Sequence, residues 1–242
     1  MGDSPWSVVL DAVSFRYPTS RDVLFQNLTF GIGRREIVGI LGPSGSGKST
    51  LLKLLAGLEK PSHGEVKRAE ESAGGFVFQS PVLLDWLSVL DNVIFPERRR
   101  FAELERAKHL LAAVKLADSF GLFPRQLSGG MRSRVQLARA LYHSPTILYL
   151  DEAFSAVDER MRHDLNALFL DLQQQFGFSA ALVSHSVAEA ATLSNRLFEI
   201  RNSSAHASVE QVTAHTMDVQ LLKKPAEFKQ VRRECPDHGR FQ

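Results

Sequence analysis

The 242-residue sequence predicts an α/β fold: a mainly parallel core sheet, an antiparallel β subdomain ahead of it, and an inserted helical subdomain. Three observations predict it. The apolar run Ile37, Val38, Gly39, Ile40, Leu41 passes through GPSGSGKST into TLLKLLAG, so a buried strand, a glycine loop and a helix follow without a break. Two further short apolar runs, ILYL and AALV, each end in polar residues and are separated by the amphipathic stretch RMRHDLNALFLDLQQQFG. Between Pro81 and Pro145 the pattern turns helical, with Phe101, Leu104, Leu110, Leu111 and Val114 at three- and four-residue steps.

The elements follow in order. SVVLDAVSFRY and VLFQNLTFGIG alternate apolar and polar residues and predict antiparallel strands. FVFQ, residues 76–79, reads as the end of a buried strand, and VQLARALYH extends the helical habit. After Ile200 the apolar runs shorten and RNSSAHAS reads as a linker. The expected organisation is one domain over residues 1–200, its helical subdomain at about 81–145, and a partly disordered extension over 201–242.

Composition narrows the classes. With 44% hydrophobic and 23% charged residues the chain is large enough for one good core or a core with a subdomain. A net charge of +2 without a basic stripe argues against a nucleic-acid partner. No run approaches the ~20 apolar residues of a membrane span. MGDSPWS lacks a secretory pattern, and one cysteine, Cys235, permits no disulfide within the chain, so a reducing compartment is expected.

The glycine loop carries the clearest chemistry. Gly42, Gly45 and Gly47 can take backbone angles that a β-carbon would forbid, so successive N–H groups can turn inward around an anion, with Pro43, Ser44 and Ser46 completing the turn. The following helix adds its N-terminal N–H groups and dipole. Lys48 is placed for outer phosphates, Ser49 for a metal ion, and Thr50 opens the helix, so the GxxxxGK(S/T) spacing stands in its proper strand–loop–helix context. ILYLDE then brings Asp151 and Glu152 out at the carboxyl end of a strand, where open α/β sheets bind ligands. Asp151 suits magnesium and Glu152 suits the activation of water. His185 and Gln79 end their own strands in the same manner. QLSGGMRSRVQLARAL, residues 126–141, opens a second helix on Ser128, Gly129 and Gly130 and makes a second anion-binding start. One triphosphate loop and two such starts are reconciled most simply if the second serves a nucleotide held by another copy.

On these residues the sequence resembles the ATP-binding cassette family of P-loop NTPases. GPSGSGKST resembles the family's Walker A, ILYLDE its Walker B, LSGGM its signature, Gln79 its Q-loop glutamine, SAVD with Asp158 its D-loop and His185 its switch histidine. Tyr17 matches the aromatic that stacks on adenine, and the resemblance runs from about Val8 to Ile200. FQSPVLLDWLSVLDNV followed by LSGGM is similar to ATPase subunits of importers for nitrate, sulfonate and taurine-type solutes.

The resemblance implies hydrolysis of ATP with Mg2+, the ion surrounded by Ser49, Gln79 and Asp151, with Glu152 polarising water and His185 at the γ-phosphate. It implies a homodimer closed head to tail, Ser128, Gly129 and Gly130 of one copy facing the nucleotide on Lys48 of the other. It further implies a separate integral-membrane permease, an extracytoplasmic solute-binding protein, and a peripheral position on the cytoplasmic face of the cell membrane. An exporter or lipid-transport ATPase would share these residues and differ in its coupling surface. DNA-maintenance cassettes separate their motifs by long insertions, whereas Gln79 and Ser128 enclose a single helical lobe here. A small-molecule kinase would leave LSGGM unexplained.

Overall fold

A computed structural model describes residues 5–69, 74–96, 101–202 and 207–212. Its centre is four parallel strands. β3 (Ile37–Leu41) and β7 (Ser179–Val183) are buried at every position, as their unbroken apolar runs require of strands covered on both faces. β7 pairs with β6 (Ile147–Asp151), and β6 with β5 (Gly74–Val77), all parallel.

The antiparallel part is built from β1 (Trp6–Phe15), flanked by β2 (Phe25–Gly33) and β4 (His63–Arg68). It is joined to the parallel part by β8 (Arg196–Asn202), parallel to β3, and β9 (Ala207–Val212), antiparallel to β8 and touching β2 at the single pair Phe25 and Ala207. The result is one nine-stranded sheet in the order β4-β1-β2-β9-β8-β3-β7-β6-β5. The boundary expected at residue 200 falls inside β8, and the sheet runs on to Val212. Arg196, Glu199, Arg201 and Asn202 make β8 read as polar, yet Leu197, Phe198 and Ile200 pair it into the sheet. Residues 213–242, and with them the expected disorder of the extension, lie outside the described residues.

Two cores flank the sheet. One is filled by Leu51, Leu52, Leu54 and Leu55 of α1 (Lys48–Ala56) packed on β1, β2 and β3; the other by α4 (Gly129–Leu141) and α5 (Glu159–Phe176) under the helical lobe. That lobe contains α2 (Val89–Ile94) and α3 (Phe101–Ala113). The buried Asn92 side chain fastens the loop before α2: it accepts from the Leu84 N–H and donates to the Leu84, Leu87 and Ser88 carbonyls. A short α6 (Val187–Leu193) joins β7 to β8.

Candidate active site

The loop between β3 and α1 wraps a concave anion cradle. Gly42, Gly45 and Gly47 have φ of 147°, 76° and 99°. At Gly47 a β-carbon would also lie 2.9 Å from the Phe25 ring, so both backbone angle and space demand glycine. Lys48 is buried and donates to the Gly42 and Pro43 carbonyls, each at 2.9 Å. Burial pushes its pKa below the usual lysine value, against the opposing pull of the Glu152 and Asp151 carboxylates. The fully buried Ser46 hydroxyl has no partner among the described residues.

Strand register brings the acids to this loop. Asp151 on β6 stands opposite Val183 on β7, and β7 pairs with β3, so their carboxyl ends open on one edge. Ser49 Oγ donates to Asp151 Oδ1 at 3.0 Å. Glu152 follows with φ 50°, a left-handed conformation that is uncommon for a residue with a side chain. Its N–H donates to the Val183 carbonyl at 3.1 Å and its Oε1 lies 2.6 Å from His185 Nε2. His185 is about half exposed at the cleft mouth. Tyr17 meets Thr50 hydroxyl to hydroxyl at 2.7 Å and sits edge-on to Phe15. Gln79, exposed after β5, donates to Ser155 Oγ at 3.5 Å.

The open cleft so formed has a volume of about 490 Å³, with Tyr17, Lys48, Ser49, Glu152 and His185 in its wall. Ser20, Asp22, Val23 and Leu24 also line it. Sequence reasoning passed over these four. They belong to no motif, and only the β1–β2 turn folding over the glycine loop brings them there.

The second helix start faces elsewhere. Ser128 caps α4, its hydroxyl accepting from the Met131 N–H at 3.3 Å, and Ser128 and Gly129 are exposed. Gly130 is pressed on α5, where an added β-carbon would lie 2.2 Å from Met161 Sδ. Asp158 caps α5 through the Met161 N–H at 2.9 Å. Ser128, Gly130, Asp158 and Met161 border a separate cavity of about 370 Å³ that shares no lining residue with the cleft around Lys48.

A glycine cradle with a buried lysine, backed by a serine–aspartate pair and a glutamate at the ends of parallel strands, defines the P-loop class of nucleoside-triphosphate hydrolases. Within that class the chain belongs to the ABC transporter family, whose profile matches residues 25–155, and it is an ATP-binding, ATP-hydrolysing subunit. It is 44% identical over 192 residues to the aliphatic sulfonates import ATP-binding protein SsuB 1 of Xanthomonas axonopodis pv. citri, spanning 75% of this chain and 76% of that protein. To the protein of the same name in Shouchella clausii it is 39% identical over 201 residues, spanning 82% and 76%. Among solved structures it is similar to a dimeric ATP-binding cassette in a post-hydrolysis state bound to ADP and phosphate, with a TM-score of 0.70 at 28% identity over 85% of this chain and 99% of that one.

Proposed function

We propose that two copies of this chain close head to tail around two ATP molecules and drive solute import through a separate permease at the cytoplasmic face of the cell membrane. The observation that carries the dimer is the separation of the two cavities: Ser128 lines none of the cleft that holds Lys48. A signature helix that cannot serve its own phosphate loop is left to serve a second copy's, the closure expected of Ser128, Gly129, Gly130 and Asp158. The dimeric state of the similar ADP-bound cassette supports a dimer.

Each side chain then has a defined task. Lys48 exchanges two neutral carbonyl acceptors for phosphate oxygens, a charge-assisted and stronger pairing. The unpaired Ser46 hydroxyl is available to the same anion. Tyr17 stacks on the base. Glu152 orients and deprotonates the attacking water, and His185, now on Glu152, turns to the γ-phosphate.

Magnesium fits the donors present. The Ser49 hydroxyl and Asp151 carboxylate are hard oxygen groups already 3.0 Å apart, the kind a magnesium ion takes from protein when phosphate and water supply the rest. Ser49, Asp151 and the Gln79 amide would hold it, and it would offset phosphate charge.

No helix among the described residues is long and apolar enough to cross a membrane. Phe78, Val82, Trp86 and Phe95 are exposed beside Gln79 and α2, and Arg139 ties two of them together by donating to the Val82 carbonyl at 2.8 Å and lying over the Phe95 ring. We assign this apolar face to the permease. The cargo class we infer is that of nitrate, sulfonate and taurine-type solutes, delivered by an extracytoplasmic binding protein; the named relatives import aliphatic sulfonates. Affinity purification of the chain from gently solubilised membranes tests this. A multi-span permease in the eluate supports the assignment, and an associated binding protein supports import. Recovery as a free ATPase, or with nucleic-acid proteins, overturns it.

A further inference from the structure

We propose that Met161 is a redox-sensitive modification site: a peroxide converts its thioether to the sulfoxide, and the oxidised side chain keeps the signature helix from accepting a second copy. The inference rests on the reading that Ser128, Gly129 and Gly130 serve a nucleotide held by another copy.

Met161 stands in the first turn of α5, where the Asp158 carboxylate accepts from its N–H at 2.9 Å. Its side chain lies on Gly130: a β-carbon there would come within 2.2 Å of Sδ, 2.8 Å of Cγ and 3.4 Å of Cε. The space that glycine leaves at position 130 is therefore filled by this thioether. The residue is only partly buried and borders the open cavity of about 370 Å³ beside Ser128, which gives small solutes a way to the side chain. The chain has four methionines, and the two among the described residues, Met131 and Met161, both border this cavity. Among the described residues no methionine or cysteine lines the cleft around Lys48.

The step is a two-electron oxygen transfer. A sulfur lone pair attacks one oxygen of hydrogen peroxide, and the O–O bond breaks as the S–O bond forms. The departing hydroxide takes the proton of the transferred oxygen and leaves as water, so sulfur is oxidised and peroxide reduced. A dithiol reductase reverses the change, releasing the oxygen as water and ending as a disulfide.

The sulfoxide differs from the thioether in two ways. It is polar, and no longer suits the apolar core under the helical lobe against which Met161 packs. Its oxygen is also an acceptor set beside a helix start whose first N–H groups have no partner within the helix. Ser128 Oγ takes the N–H of Met131, which leaves those of Gly129 and Gly130 for an outside acceptor. An oxygen on Met161 competes for them with the γ-phosphate on the second copy, and the contact with Gly130 gives the added atom no room without moving the helix start. The cradle around Lys48 is untouched, so oxidation blocks closure and spares the binding of ATP.

The test uses the full chain carrying Cys235→Ser, so that no thiol responds, treated with hydrogen peroxide and mapped by mass spectrometry. Met161 is expected to gain one oxygen in the nucleotide-free chain and to be protected in the ATP-bound Glu152→Gln dimer. The oxidised chain is expected to bind ATP as before and to hydrolyse it about tenfold more slowly, the scale of one disturbed contact at the centre of an interface. Oxidised Glu152→Gln is expected to stay a monomer with ATP, and methionine sulfoxide reductase to restore both turnover and dimerisation. Met161→Leu, a volume-conserving exchange, is expected to keep its turnover through peroxide treatment, while Met131→Leu remains sensitive. An unmodified Met161, full turnover by the oxidised chain, a loss the reductase does not reverse, or a Met161→Leu chain as sensitive as its parent would each overturn the proposal. Untreated Glu152→Gln that fails to dimerise with ATP removes the shared-site reading itself, whereas dimerisation unchanged by oxidation removes only the switch.

Discussion

The two anion-binding helix starts of this chain are built from the same elements and left in opposite conditions. At the start of α1 the groups proposed for phosphate, metal and water are paired inside the chain, Lys48 on two carbonyls, Ser49 on Asp151 and Glu152 on His185, while the Ser46 hydroxyl has no partner among the described residues. At the start of α4 Ser128 satisfies only its own helix, and Ser128 and Gly129 face outward. The first is a cradle that holds its groups ready until a triphosphate replaces the internal partners. The second is a surface whose ligand must be brought to it. On the proposed dimer, the difference gives each half of a divided nucleotide site its own signature: internal pairing where ATP first binds, and an exposed helix start where closure follows.

Several substitutions sharpen or break that contrast. The largest effect is expected from Glu152→Gln, which retains shape but removes the base; turnover measured by phosphate release should fall on the order of 10²–10⁴-fold while ATP still binds. Unimpaired turnover would take Glu152 out of the cradle's chemistry. Lys48→Ala comes next: losing the buried ammonium should weaken ATP binding by about 3 kcal/mol in calorimetry, roughly a hundredfold. An unchanged affinity would show that the phosphates sit elsewhere.

On the other half, Gly130→Ala places a β-carbon 2.2 Å from Met161 Sδ and 2.8 Å from its Cγ. Such overpacking should cost about 1–3 kcal/mol in urea unfolding, with ATP affinity at the distant cradle preserved. Lost affinity would mean the two halves are not independent in the single chain. The smallest effect is expected away from both. Tyr149 donates to the Leu55 carbonyl at 2.9 Å, and burial pushes its pKa from 10.0 up to about 12. The folded chain therefore keeps a proton that the unfolded chain releases, so this stabilisation is full below pH 10.0 and is lost as pH climbs toward 12. Tyr149→Phe should cost about 1 kcal/mol at neutral pH and remove that alkaline loss in pH-dependent unfolding. A variant with the same alkaline slope would trace the loss to another group.

The cradle was legible because its chemistry is local: nine consecutive residues between a strand and a helix carry their own geometry, and the acids of ILYLDE follow from a strand emerging at the ligand edge. The parallel core was legible from apolar runs too continuous for a half-exposed strand. What stayed hidden depends on long-range register. β9 reads as polar and becomes a strand only by pairing with β8 and β2, which carries the sheet past residue 200. Asp22 and Leu24 reach the cleft only because the β1–β2 turn lies over the loop.

The shared site is tested most directly by the mass of the chain in solution, measured by light scattering during size-exclusion chromatography with and without ATP and magnesium. Glu152→Gln should be a monomer without nucleotide and a dimer with ATP, since the bridge forms and is not hydrolysed. Adding Ser128→Arg to the same chain should return it to a monomer that still binds ATP. A Glu152→Gln chain that binds ATP as a monomer, or a double variant that still dimerises, would contradict the account.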